Sequence, residues 1–267
     1  IRDANGPGVQ ACALPIYETI EEFTAAMRST ASRVGLSCDF SNEYLTDSPQ
    51  YRSLTQAIFV DLFERGDIVE DLRPNIYDPV EGTTIADAEV ERQQRKTRMI
   101  DVKWAVEDGT ELIISTTRPE LICACGTVVV HPDDKRYTDL VGKKIHLPMQ
   151  TSGRDTSVEI RTHHSVKSDF GSGALMVCSF GDQNDVMIFR ELGLTPFQAI
   201  GLDGCMTEVS GPLAGMPVSE ARERALEILE SEGKVGDIVE REQEVPVSER
   251  GKNPVEIILL KNGMCGK

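Results

Sequence analysis

Residues 100–115, Ile-Asp-Val-Lys-Trp-Ala-Val-Glu-Asp-Gly-Thr-Glu-Leu-Ile-Ile-Ser, carry the pattern that decides the fold. Ile100, Val102, Trp104 and Val106 alternate with other residues, which in an extended chain places all four on one face. Asp108-Gly109 is a hairpin signature, and Leu112–Ser115 returns as the partner strand. Upstream the pattern is helical. Thr19-Ile-Glu-Glu22 reads as a capping box, followed by Ile20, Phe23, Met27 and Val34 with Gly35 as a stop. Ser48-Pro49 starts a second helix carrying Leu54, Ile58 and Leu62 on one face and ending at Gly66. Residues 17–90 are therefore expected to be mostly helical, with loops around Asp39–Asp47 and Arg73–Thr84. Downstream, Thr127–His131, Val158–Ile160 and Ala174–Phe180 read as strands. Gln183–Leu192 and Ser219–Glu232 read as helices, closed by Gly193 and Gly233. The expected class is mixed α/β, a mixed sheet or barrel with helices on its outside.

Composition narrows the function. The 267 residues include 28 Lys+Arg and 44 Asp+Glu, a formal charge of −16. An apolar content of 40% supports a packed core. No apolar run approaches the roughly 20 residues that span a bilayer, so no membrane partner is expected and a cytoplasmic location is. The acidity argues against a broad phosphate-binding surface, although net charge does not say what one groove does. It also suits a salt-rich cytoplasm. The densest basic stretch is Arg92–Arg98. Seven cysteines, at 12, 38, 123, 125, 178, 205 and 265, form no Cys-x-x-Cys and are expected to be free thiols.

The two ends read differently from the middle. Gly8–Ile16, GVQACALPI, resembles with one difference the translation of sequencing-adapter DNA, so residues 1–16 read as a non-native leader. Asn262–Lys267 follows the apolar run Ile257–Leu260 without a capped element, so the chain is expected to be a fragment of something longer.

Several chemistries are excluded by residue type. There is no G-x-x-x-x-G-K-[ST] loop and no G-x-G-x-x-G opening a helix. Gly171-Ser-Gly173 lacks the flanking glycine of a nucleophile elbow. The four histidines, 131, 146, 163 and 164, include one adjacent pair that would face opposite ways on a strand, so no metal site is expected. What remains is polar clustering where strands end. Ser115–Glu120 follows one apolar strand, and Phe180–Asp185 joins another to a helix. On spacing alone Asp182 is an N-cap, Asp185 a first-turn acid, and Thr116 and Thr117 ordinary strand residues.

In order and spacing, TTRPE at 116–120, VHPDDKRY at 130–137 and DFGSGALMVCSFGDQNDV at 169–186 resemble the editing domain of valyl-tRNA synthetase, closest to the archaeal-type branch. Ile85–Val90 resembles the entry into that inserted domain. Met206-Thr-Glu208 and the helix at 219–232 fit as well, and Pro246–Ile257 resembles the return to the catalytic body. The resemblance runs from about Ala31 to Leu260. It implies a connecting segment of the catalytic body at 17–90, an editing domain at 91–244 and a truncated return at 245–267. Leucyl-type editing domains share TTRP but usually lack His-Pro-Asp-Asp, and the isoleucyl type has a different threonine-rich strand.

The resemblance also implies roles. Asp185 matches the aspartate that holds the substrate's α-ammonium. Thr116 and Thr117 match the threonine-rich wall that meets the substrate's side chain and orients water. Arg118 and Glu120 fix the loop or contact the terminal adenosine, and Asp182 is a second acid near the pocket. Met176 stands where many bacterial relatives carry lysine, which puts a nucleotide contact in doubt. The four positions where relatives often carry zinc cysteines are Asp78, Glu81, Ser248 and Gly251 here, so no structural zinc is expected. The expected reaction is hydrolysis of threonyl-tRNA(Val), and possibly threonyl-adenylate, with water as nucleophile and no cofactor. ATP would serve only the absent catalytic domain, because His-x-Gly-His and Lys-Met-Ser-Lys-Ser are missing and aminoacylation is not expected. The partners would be the tRNA 3′ end and the rest of the synthetase chain. The alternative from another class is a non-catalytic module that positions the tRNA 3′ end.

Overall fold

A computed structural model describes residues 7–265, with side chains from 18 to 261. The chain divides into two compact units, Ile1–Val69 with Cys265–Lys267, and Glu70–Met264. The expected leader at 1–16 lies outside the described residues over 1–6; from Pro7 onward it belongs to helix α1.

In the first unit α1 spans Pro7–Arg33 and α2 Pro49–Glu64. Ser48 Oγ accepts from Tyr51 N at 3.2 Å, and Pro49 occupies the first turn, as the sequence predicts. Thr19 is not an N-cap: the helix runs unbroken through it from Pro7, so the capping-box pattern is coincidental here. Large apolar residues of both helices, among them Phe23, Met27, Leu54 and Phe63, are exposed.

The second unit contains two sheets. Strands β1 (Ile68–Asp78), β2 (Thr83–Thr84) and β10 (Glu256–Cys265) form one, in the order β10-β1-β2. The larger sheet uses β3 (Val90–Val106), β4 (Glu111–Thr116), β5 (Cys125–Val130), β6 (Lys144–His146), β7 (Ser157–Thr162), β8 (Ala174–Cys178) and β9 (Val235–Ser248). Its order is β4-β3-β6-β7-β5-β8, with β9 also on β3. The β5–β7 pair is parallel and the rest are antiparallel. The sheet curls until its end strands β4 and β8 meet, giving the mixed, barrel-like α/β class expected.

The hairpin at 100–115 forms as predicted, with Ile100 opposite Thr116 and Ala105 opposite Glu111. Val102, Trp104, Ile114 and Ile145 fill the main core with no exposed surface. Residues 73–78, expected to be a loop, are strand instead. The surprise is the first half of β3, which pairs with β9 along a long ribbon. Neither strand has an apolar alternation, so periodicity misses both. The register sets opposite charges across the ribbon, Lys96 opposite Glu242 and Arg98 opposite Glu240. Within the densest basic stretch of the chain, Arg92 pairs with Glu244 of β9 and Arg98 with Glu223 further along the chain.

Two helices complete this unit: α3 (Gln183–Glu191) and α4 (Val218–Ser231). Gly193 and Gly233 close them at φ +61 and +68. Val129, Val177 and Phe180 pack with Ile188 and Phe189 of α3 in a second small core. Gly126 permits this seating, because a Cβ there would lie 2.5 Å from Phe189 Cζ. At the crossing of the two sheets, the Asp78 carboxylate accepts from Ser248 Oγ at 2.7 Å, Asn253 Nδ2 at 3.1 Å and two backbone N–H groups. A Cβ on Gly251 would lie 2.5 Å from Glu81 Oε1, so the four zinc-equivalent positions do come together, around a hydrogen-bonded knot. Among the described residues no helix is long and apolar enough to cross a membrane.

Gly126→Ala should destabilise the protein by about 1–3 kcal/mol through overpacking against Phe189, and Phe189→Leu in the same chain should restore part of the loss. Thermal melts of the single and double variants check this; an unchanged melting temperature for Gly126→Ala would contradict the seating.

Candidate functional site

The Thr116 turn is built by a strand that ends and a chain that dives inward. After β4, Pro119–Ala124 forms a 3-10 turn in which all six residues are buried. Thr116 is buried and its Oγ1 accepts from Arg118 N at 3.0 Å, so its hydroxyl proton is left to donate. Thr117 is half-buried and makes no side-chain hydrogen bond among the described residues.

Glu120 has no exposed surface. Its Oε1 accepts from Arg118 Nε at 2.9 Å and Arg222 Nη2 at 2.8 Å, and its Oε2 from Arg222 Nε at 3.1 Å. Arg118 Nη2 donates in turn to Glu256 Oε1 at 3.1 Å. Its Nη1 stands 2.9 Å from Glu256 Oε2 without forming a hydrogen bond. Burial alone would raise the Glu120 carboxyl, but the two guanidinium groups outweigh it and hold the group below its ordinary range. Arg222 and Glu256 lie 102 and 138 residues from their partners, and no local signal in the sequence marks them.

The second turn starts at the end of β8. Asp182 caps α3, its Oδ1 accepting from Asp185 N at 2.9 Å, as predicted. Asp185 follows in the first helical turn, is buried, and accepts from Gly181 N on its Oδ2 at 2.8 Å. Gly181 is the residue that allows this, since a Cβ there would lie 2.7 Å from that oxygen and 3.5 Å from Leu121 Cδ1. Desolvation, reinforced by the negative charge of Asp182, pushes the Asp185 carboxyl up to about 8, against the lowering effect of nearby backbone N–H groups. It has no cationic partner among the described residues.

The two turns pack on each other. Ser179 N donates to Ala124 O at 3.1 Å, and Gly181 sits beside Leu121. The two turns thus meet through Leu121 and Ala124 on one side and Ser179 and Gly181 on the other. Met176 does not join them: it is buried in the main core, opposite Val128 on β5. The His131–Tyr137 loop is a staple. Arg136 Nη2 donates to Ser168 O at 2.7 Å and Tyr137 Oη to Ser172 O at 2.5 Å. A groove of about 840 Å³ is lined by Asp101, Ser115, Tyr137, Gly171 and Arg241, but by none of Thr116, Thr117 or Asp185. Among the described residues no three His, Cys, Asp or Glu side chains are grouped to hold a metal ion.

The pattern of the tRNA synthetases class I (I, L, M and V) matches residues 7–145. The valine–tRNA ligase of Aeropyrum pernix is 45% identical over 85% of this chain, and that of Archaeoglobus fulgidus 43% identical over 90%. The chain spans 27% of the length of each. A LeuRS–tRNA–LeuAMS complex from Agrobacterium radiobacter K84 shares 18% identity at a TM-score of 0.40, covering 84% of this chain and 36% of that one. The first half of the sequence matches the class pattern, and the valine enzymes resemble it along nearly all its length: the chain belongs to the class I tRNA synthetases of the I, L, M and V group.

Proposed function

We propose that this chain is the editing part of a valine–tRNA ligase and hydrolyses threonyl-tRNA(Val) while sparing valyl-tRNA(Val). One observation carries the reading: Asp185 is a buried acid with no cationic partner among the described residues, and its turn packs through Gly181 on Leu121 of the turn that follows the two threonines. Glu120 is buried with two guanidinium groups and is already satisfied. Asp185 is the acid that an incoming α-ammonium would complete.

The chemistry follows from the isostere problem. Valine and threonine differ by a methyl and a hydroxyl, and an apolar synthetic pocket separates them by only about 10²-fold, an established magnitude for valyl enzymes rather than one derived from this chain. A second site can do better by hydrogen-bonding the hydroxyl. Valine would leave such buried polar groups unpaired, at a cost of roughly 1–3 kcal/mol each. In the proposed reaction Asp185 holds the ammonium, while Thr116 and Thr117 meet the threonine hydroxyl and orient a water. That water attacks the ester carbonyl, the C–O bond to the ribose breaks, and free threonine and the 3′-terminal hydroxyl leave. Positioning and polar preorganisation supply the rate. The tRNA grip would come mainly from the remainder of the enzyme, in keeping with the charge of −16.

Two tests follow. In a paired deacylation assay the protein should hydrolyse threonyl-tRNA(Val) and spare valyl-tRNA(Val), and Asp185→Ala should lose the activity by 100-fold or more, on the order of a 3 kcal/mol contact. Equal hydrolysis of both esters refutes the selectivity; no turnover, with tRNA binding untouched in Asp185→Ala, points instead to a positioning module. The second test is stability against pH. The Asp185 carboxyl lies at about 8 in the fold and near 3.9 in an unfolded chain. A raised carboxyl costs nothing below about pH 4 and progressively more stability as pH climbs to about 8. Asp185→Asn should therefore melt higher than wild type at pH 8, with the gap closing towards pH 4; a gap that does not change with pH contradicts the burial.

A further inference from the structure

Arg222 and Glu256 stand outside every motif, yet they complete the charge set behind the Thr116 turn. Arg118, Glu120, Arg222 and Glu256 form a neutral group of two cations and two anions. Within it Glu120 is fully buried, and the side chain of Glu256 is 8% exposed. Three separate parts of the chain supply them: Arg118 and Glu120 the turn after β4, Arg222 α4, and Glu256 the first residue of β10. Pro119 follows Arg118 and restricts its backbone, which sits at φ −132 and ψ 67. From that position Arg118 N reaches Thr116 Oγ1. A continuous path thus runs from the Glu256 carboxylate through the Arg118 guanidinium and backbone to the Thr116 hydroxyl.

We propose that Glu256 and Arg222 are positioning residues for the threonine turn, holding Arg118 and Glu120 so that the hydroxyls of Thr116 and Thr117 keep the geometry that separates threonine from valine. The proposal rests on the editing reading and adds two residues, remote in sequence, to its machinery. The physical lever is geometric. Glu256→Gln removes one anion but keeps the shape, leaving Arg118 with Glu120 as its one remaining charge partner among the described residues. The turn can then move, and a displacement near 1 Å in a positioning group is enough to lose about 100-fold in rate. A purely structural role would lower the melting temperature without altering how the remaining folded enzyme chooses between esters.

The test measures kcat and KM on threonyl- and valyl-tRNA(Val) for wild type, Glu256→Gln, Glu256→Asp and Arg222→Lys, together with hydrogen exchange at the Arg118 amide. Glu256→Gln should lower kcat on the threonyl ester at least 10-fold with KM changed less than 3-fold, narrow the threonyl-to-valyl ratio, and speed Arg118 exchange at least 10-fold. Glu256→Asp should recover part of each. If Glu256→Gln fails to fold, Arg222→Lys, at the most exposed member of the group, carries the same expectations with smaller changes. Wild-type kcat, selectivity and Arg118 exchange in these variants overturn the proposal. If wild type hydrolyses neither ester, the editing reading fails, and Arg118 exchange alone then decides whether the charge set holds the turn.

Discussion

Taking a carboxylate out of water obliges the fold to compensate it, and the ways in which this chain does so organise the structure around its proposed site. Asp78 is buried among neutral donors, which outweigh the effect of burial and hold it below its ordinary range. Glu120 is buried between two guanidinium groups that likewise outweigh burial. Asp185 has only backbone N–H groups and the unfavourable charge of Asp182, and is pushed up. The first two arrangements knit elements together: Asp78 ties β1 to the end of β9, and Glu120 ties the turn after β4 to α4 and, through Arg118, to β10. The third leaves a carboxyl whose charge is better satisfied by something the chain does not contain.

That contrast links fold to chemistry. The curl of the large sheet brings β4 and β8 together, and with them the turn of hydroxyls and the turn of acids. Gly181 lets Asp185 fold back over its own turn, while Gly126 lets Phe189 seat the helix that carries it. A site held on elements this well packed can select by hydrogen bonding, because its donors and acceptors cannot relax to suit a substrate lacking a hydroxyl. The raised Asp185 carboxyl disfavours the fold at neutral pH, and in the proposed function a cationic ligand would relieve it.

The parts legible in the sequence are those with a local signature. The hairpin at 100–115, strands β5, β7 and β8, and helices α3 and α4 show a period, a turn or a terminal glycine, and the Asp182 cap follows from its place before an apolar helix. The ribbon of β3 and β9 was not legible, because cross-strand contacts such as Gln94 with Glu244 form only when residues some 150 apart meet. Strand β1 was hidden by Arg73-Pro74-Asn75, which reads as a turn, and Thr19 mimicked a cap inside a longer helix. In the proposed site, Thr116, Thr117 and Asp185 are singled out by resemblance to a family, whereas Arg222 and Glu256 join the Arg118–Glu120 charge set only through tertiary contact.

In the proposed function the Asp185 carboxyl, pushed up by burial and by Asp182, gives up its proton as it receives an ammonium. Calorimetric titration at pH 7 with a non-hydrolysable threonyl-adenosine amide, repeated in buffers of different ionisation enthalpy, counts that proton directly. Wild type should release close to one proton more than Asp185→Asn on binding. Equal proton release by the two proteins would contradict the account.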